Sequence, residues 1–300
     1  MSLTHLRDTA ASKPVSKVTP QYLLDKKRRR QPITALTAYD YPTARLVDEA
    51  GIDMILVGDS LAMAVLGHDN TLSLTVDEMM HHARAVRRGV RSSFLVVDMP
   101  YGSYHTGAGD ALRNAMRFIK EAGAEAVKLE GGASRADLVE QLTLAEIPVV
   151  GHIGLTPQSL HRMGGYRVQG RSMSAIDALM ADAAALESAG AVALVLEGVP
   201  REVAARITAI SGIPVIGIGA GPDCDGQILV FHDLFHLTFT SSAKFVRPFG
   251  DAETLLREGI EQYRQAVAGR SFPNDAESYH LSPDVLAGLQ PAQTPEPQPI

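Results

Sequence analysis

The segments EAGIDMILVGD (49–59), EAGAEAVKLEG (121–131) and SAGAVALVLEG (188–198) repeat one pattern: an Ala-Gly helix end, a short link, an apolar strand and a polar terminus. Seven residues after each glycine stand Gly58, Glu130 and Glu197. Two copies thus place a glutamate at one structural position, and the other places Asp59 one step later. A helix-to-strand unit that recurs in this way sets parallel strands side by side with helices outside them. Strands are expected at Ile33–Thr37, Met54–Val57, Phe94–Val97, Ala126–Leu129, Ile147–Val150, Ala193–Leu196, Pro214–Ile218 and Ile228–Phe231. Several are continuous apolar runs, as befits a parallel sheet covered on both faces. About eight strands in 300 residues predict an α/β fold, a single (β/α)8 TIM-type barrel. A doubly wound open sheet is the alternative.

Helix ends support the same alternation. Thr75 with Glu78 reads as a capping box, and Ser134 with Asp137 and Ser174 with Asp177 as acidic versions of it. Gly123 and Gly190 fall just after helical patterns, where a left-handed residue is wanted. Residues 1–18 are polar without an apolar period and are expected to form a flexible N-terminal segment. From residue 281 the chain is rich in proline (Pro283, Pro291, Pro295, Pro297, Pro299), and residues 281–300 are expected to be a disordered tail outside any helix or sheet. The catalytic barrel then spans 19–280.

With 45% hydrophobic and 21% charged residues, the composition excludes global disorder and a fibrous repeat. A formal charge of −6 provides no basic field for nucleic acid. Lone Cys224 excludes internal disulfides and a cysteine-based zinc cluster. Neither an export signal nor a membrane span is visible, so a cytoplasmic location is expected.

The strands end on Asp59, Asp98, Glu130, His152 and Glu197, with Lys128 two residues before Glu130 and on the same side of its strand. In a parallel barrel these ends meet around one mouth. Four carboxylates there repel one another unless a cation sits among them, and an all-oxygen set favours Mg²⁺ or another hard divalent ion. A 2-oxo acid suits such a site, because its carboxylate and keto oxygens chelate the ion and its enolate is stabilised there. Lys128 is placed to bind the oxyanion or the carboxylate. Glu197, at the end of an apolar strand, is the best candidate base, since apolar surroundings favour the proton-accepting range. The bland alternative is that individual acids cap helices or pair with arginines.

Residues 33–61, 66–79, 120–132 (KEAGAEAVKLEGG), 151–171 (GHIGLTPQSLHRMGGYRVQGR), 194–200 (LVLEGVP) and 216–230 (IGIGAGPDCDGQILV) together resemble the ketopantoate hydroxymethyltransferase family, in order from about residue 18 to about 280. The resemblance implies a barrel of the phosphoenolpyruvate mutase-like group. It implies hydroxymethyl transfer from 5,10-methylenetetrahydrofolate to 3-methyl-2-oxobutanoate, giving 2-dehydropantoate on the route to pantothenate and coenzyme A. It further implies Asp59 and Asp98 as Mg²⁺ ligands, with Glu130 in the metal site through water. Ser60, Lys128 and His152 would contact the oxo acid, along with Asp59 and Asp98, and Glu197 would remove the C3 proton. Small-molecule substrates and a homo-oligomer, typically a decamer, complete the expectation. Two positions depart from the family pattern: Ala62 in GDSLAM and Gly198 in LEGVP, the latter implying a looser loop after Glu197.

Other motifs compete. Gly58-Asp59-Ser60-Leu61 spells the signature of GDSL esterases, with Ser60 as nucleophile and Asp233-Leu234-Phe235-His236 as partner, although Gly67-His68-Asp69-Asn70 reverses the oxyanion motif. His232 and His236 sit four apart but lack the zincin glutamate and read as core or loop residues. His81 and His82 diverge on a helix. Gly217, Gly219 and Gly221 suit tight packing at the barrel rim, or a phosphate nest in a non-catalytic phosphate-ligand-binding barrel. Lys26-Lys27-Arg28-Arg29-Arg30 reads as a solvated helix end after Thr19-Pro20.

Overall fold

Alternating strand positions feed two separate cores, one inside the sheet and one outside it. The computed structural model describes residues 16–239 and 243–289. Eight parallel strands pair in sequence order: β1 (Ile33–Thr37), β2 (Met54–Val57), β3 (Phe94–Asp98), β4 (Ala126–Glu130), β5 (Val149–Gly154), β6 (Ala193–Glu197), β7 (Val215–Ile218) and β8 (Gly226–Leu229). β8 returns to pair with β1, so the sheet is a closed barrel without edges. The open-sheet alternative is thereby excluded.

Inside the barrel, Ile33, Ala35, Met54, Leu56, Phe94, Val96, Ala126, Val150, Ala193, Val195, Ile216 and Ile228 form one buried cluster. The intervening residues, Ile55, Leu95, Val127, Leu129, Leu194 and Leu196 among them, face the surrounding helices in a second cluster. Both faces are buried, which is why the strands read as unbroken apolar runs. Toward the C-terminal ends the inward register turns polar: Phe94 and Val96 give way to Asp98, Ala126 to Lys128 and Glu130, Val150 to His152, Val195 to Glu197.

The helix Pro20–Arg28 lies at the opposite end. Thr19 caps it by accepting from the Tyr22 N–H at 3.2 Å, and Leu23 is fully buried in the inner cluster. Its basic run is only partly solvated: Lys26 pairs with Asp53 and Lys27 with Asp225, each at 2.7 Å, while Arg28, Arg29 and Arg30 are exposed. The lysines meet acids at the N-terminal ends of β2 and β8, partners that lie too far away in sequence for local reading to supply.

The capping box of Thr75 and Glu78 forms as expected on the helix Val76–Gly89, and Gly123 and Gly190 both take positive φ. Two caps differ. Ser172, not Ser174, caps the helix Met173–Ser188 by accepting from Ala175 N–H, and Ser134 falls inside the 3-10 turn Ala133–Arg135. Two strands shift as well. β5 begins at Val149 and runs on through Gly151 and His152, and β8 ends at Leu229 because Phe231–Leu234 turns into a short helix.

The chain divides into two compact units, one ending at Gly250 and one from Asp251 onward. The second contains the helix Ala252–Ala268, capped by Asp251, a 3-10 turn Asp275–Glu277 and the short helix Pro283–Ala287. This helix falls within 281–300, where none was expected: it tolerates Pro283 in its first turn, where a backbone N–H has no intrahelical partner. The expected flexible N-terminus and disordered tail lie mostly outside the described residues, at 1–15 and 290–300. Val18, by contrast, is anchored: its N–H donates to Ser92 O at 2.8 Å and its side chain joins the inner core. Among the described residues no helix is long and apolar enough to cross a membrane.

Candidate active site

The polar ends of β2 to β6 open into a cavity of about 820 Å³, lined by Asp59, Ser60, Asp98, Lys128, Glu130, His152 and Glu197 among others. All seven residues singled out in the sequence therefore meet at one mouth. Asp59 and Ser60 follow β2 in the turn before the short helix Leu61–Ala64. Gly58 keeps this turn close to β3: a Cβ there would stand 2.9 Å from Ser60 Oγ, and 3.6 Å from Asp98 Oδ2. The Asp59 N–H donates to that same Asp98 oxygen at 2.9 Å.

Lys128 is the positive centre. Its Nζ lies 2.9 Å from Asp98 Oδ1 and 3.3 Å from His152 Nδ1. His152 continues the chain, with Nδ1 3.4 Å from Glu130 Oε1 and Nε2 3.3 Å from Glu197 Oε2. Burial strongly disfavours charge in this group, and proximity opposes it with mixed sign. Burial and the carboxylates of Asp98 and Glu130 hold the Asp59 carboxyl well above the usual carboxylate range. Burial also raises Asp98, against the pull of Lys128. For Lys128, burial pushes downward, but Asp98, Asp59 and Glu130 outweigh it and keep the ammonium charged. Burial and Lys128 push His152 down, whereas contacts with Glu130 and Glu197 carry it up to about 9.

The acids form an all-oxygen donor set suited to a hard cation. Asp98 Oδ1 and Glu130 Oε1 are buried without a hydrogen bond, Asp98 meeting Lys128 as a charge pair. Among the described residues, no three His, Cys, Asp or Glu side chains gather into a complete metal cage. Mg²⁺ takes only one or two carboxylates and leaves its other positions to water and substrate, a demand that the chemistry of these oxygen donors can meet without a cage.

Glu197 has a polar neighbour that its strand does not announce. Its side chain is 17% exposed, and the His152 imidazole joins the apolar residues of the cavity beside it, Nε2 lying 3.3 Å from Glu197 Oε2. Gly198 beside it has φ +57°, yet its N–H donates to Ile218 O and its O accepts from Gln169 N–H, each at 2.9 Å. The loop is held on both sides, not loosened.

Ser60 Oγ shares a 2.8 Å hydrogen bond with the Tyr39 hydroxyl. Its partner is thus a phenol, not the imidazole an esterase nucleophile requires. His232 lies in the four-residue helix Phe231–Leu234, and His236 falls beyond it at φ +53°, so the pair does not share a helical face. The glycine-rich turn after β7 is packed closely, since a Cβ on Gly219 would stand 2.5 Å from the Phe245 ring. Gln158, Tyr104 and Tyr39 also belong to the site, though no local signal in the sequence marks them. Gln158 lies within the block GHIGLTPQS, but a neutral amide carries no charge to mark it.

Known proteins resemble this chain over most of its length. Residues 17–275 match the family model described as ketopantoate hydroxymethyltransferase. A 3-methyl-2-oxobutanoate hydroxymethyltransferase of Koribacter versatilis is 64% identical over 93% of this chain and 94% of its own length. One of Geotalea daltonii is 53% identical over 85% of this chain and 95% of its own. The chain belongs to the ketopantoate hydroxymethyltransferase family. Solved structures of low sequence identity share the barrel fold of this chain. A phosphonopyruvate hydrolase, solved with oxalate and Mg²⁺, superposes with TM-score 0.59 at 16% identity, covering 86% of this chain and 92% of its own. A 2,3-dimethylmalate lyase, a member of the PEP mutase/isocitrate lyase superfamily, gives 0.55 at 17% identity, covering 90% and 93%.

Proposed function

We propose that this chain transfers a one-carbon unit from 5,10-methylenetetrahydrofolate to C3 of 3-methyl-2-oxobutanoate, giving 2-dehydropantoate for pantothenate synthesis. The observation that carries this is Lys128 set between Asp98 and the His152–Glu197 pair at a mouth that also holds Asp59 and Glu130. Asp59 and Asp98 are the residues that would hold Mg²⁺, with Glu130 linked through water. When bound, the ion supplies Lewis acidity and positive charge against the enolate that proton loss creates.

The chain's own groups do the rest. Lys128 and Ser60 bind the carboxylate and keto oxygens, the ammonium staying charged because three carboxylates surround it. Glu197 accepts the C3 proton, and His152 Nε2, 3.3 Å away, fixes the direction of its carboxylate. The folate methylene carbon gives up its bonds to N5 and N10 and gains one to C3 and one to a water oxygen, while the two nitrogens leave as tetrahydrofolate with the proton taken from C3 and one from the water. A five-carbon acid fills only a small part of an 820 Å³ cavity. The remainder, flanked by Tyr166, Val168 and Phe245, is where we place the folate ring system. The proposal extends to a cytoplasmic homo-oligomer, a decamer by family resemblance.

Incubation with both substrates and Mg²⁺, followed by mass spectrometry, tests this. The oxo acid should gain one CH₂O unit, and Glu197→Gln should slow that gain by at least ~10²-fold. No product with any divalent cation would refute the activity. Full activity in Glu197→Gln would refute the base.

A further inference from the structure

The carboxylates at the mouth need fixed directions to act together, and apolar packing alone sets none for a polar head. Gln158 supplies them. It sits in the 3-10 turn Pro157–Ser159 after β5 and is 6% exposed. Its Nε2 donates to Met99 O at 3.0 Å and to Asp59 Oδ2 at 2.8 Å. Its Oε1 accepts from the Tyr104 hydroxyl at 2.6 Å, and that hydroxyl in turn accepts from the Glu130 N–H at 3.2 Å. Its own backbone N–H donates to Glu130 Oε2 at 2.9 Å.

Donor and acceptor chemistry allows only one orientation of this amide. The Met99 carbonyl accepts and cannot donate, so the nitrogen end must face it. The second Nε2 proton is then committed to Asp59, and the oxygen end to Tyr104, whose single proton goes to it at 2.6 Å in preference to the Glu130 carbonyl 3.5 Å away. Each link dictates the next, and the whole set is buried. One residue thereby reaches two acids: Asp59 through its side chain and Glu130 through its backbone.

We propose that Gln158 is a positioning residue that, buttressed by Tyr104, presents the Asp59 and Glu130 carboxylates for uptake of a divalent cation. It rests on the cation site proposed above. Hydrogen-bond partners behind metal ligands commonly alter affinity by ~10–100-fold when removed. A residue that merely filled the loop after β5 would leave cation affinity untouched in a folded variant.

The test is Mn²⁺ titration of the full chain, with free Mn²⁺ read by electron paramagnetic resonance and folding checked by circular dichroism. Gln158→Leu keeps the backbone link to Glu130 and removes the side-chain link to Asp59. It should bind Mn²⁺ ~10–100-fold more weakly than the parent chain. Tyr104→Phe removes only the hydroxyl and should weaken binding in the same direction by less. A folded Gln158→Leu with affinity within about twofold of the parent, where removal should cost ~10–100-fold, overturns the proposal. Should Gln158→Leu not fold, unchanged affinity in Tyr104→Phe overturns it instead. A parent chain that binds no Mn²⁺ overturns the cation site itself, an outcome distinct from either.

Discussion

Lys128 is fully enclosed, and its charge is tolerable only because Asp98 lies 2.9 Å away with Asp59 and Glu130 nearby. Removing one partner of such a buried pair leaves the other uncompensated, at a cost of about 3–5 kcal/mol. Lys128→Met should therefore lower the thermal midpoint markedly as well as abolish turnover, which differential scanning calorimetry checks. Charged residues at strand ends were legible from sequence because the repeat set their positions and the strand period set their side. Gln158 and Tyr104 were not. Gln158 bonds to Asp59 across 99 residues, and nothing in a neutral amide or a tyrosine shows which distant acid it will meet. Even Glu197, placed correctly at the mouth, acquired an imidazole neighbour that strand composition could not reveal.

Individual elements hold the barrel from the end opposite the site. Asp53 accepts from Lys26 at 2.7 Å and from the Thr34 N–H at 2.8 Å, which joins the helix Pro20–Arg28 to β1 and β2. Lys26→Met should cost about 1.5–3 kcal/mol in a denaturant titration, the value of a hydrogen bond to a charged group. Asp48, on the helix Tyr41–Glu49, accepts from the N–H groups of Arg91, Ser92 and Ser93 at 3.0, 2.9 and 2.8 Å. Burial pushes its carboxyl up, but the three amides together hold it below the ordinary aspartate value. Unfolding then binds a proton as the medium becomes acidic, so this stabilisation is complete above about pH 4 and fades as pH falls through the folded value. Thermal midpoints of Asp48→Asn and the parent chain should differ most at neutral pH and converge below about pH 4. A constant difference across that range would contradict the assignment. Helix and strand existence followed from apolar period and glycine placement. Exact bounds did not, as at β5, where Gly151 and His152 extend a strand that composition ends early.

At the scale of the whole molecule, closure of eight parallel strands converts scattered polar residues into one mouth. The inward register is apolar at one end and acidic at the other, so the same side chains that fill the barrel support the chemistry above them. The proposed decamer should sediment as a single species of decamer mass, and a monomeric peak would refute it. Everything proposed for this mouth turns on its removing a proton from C3 of a 2-oxo acid. Incubating the protein with 3-methyl-2-oxobutanoate, tetrahydrofolate and Mg²⁺ in D₂O, with proton NMR of the C3–H signal, tests it most directly. The signal should vanish with time, and both a chelator and Glu197→Gln should preserve it. A C3–H signal that persists under every divalent ion would contradict the account.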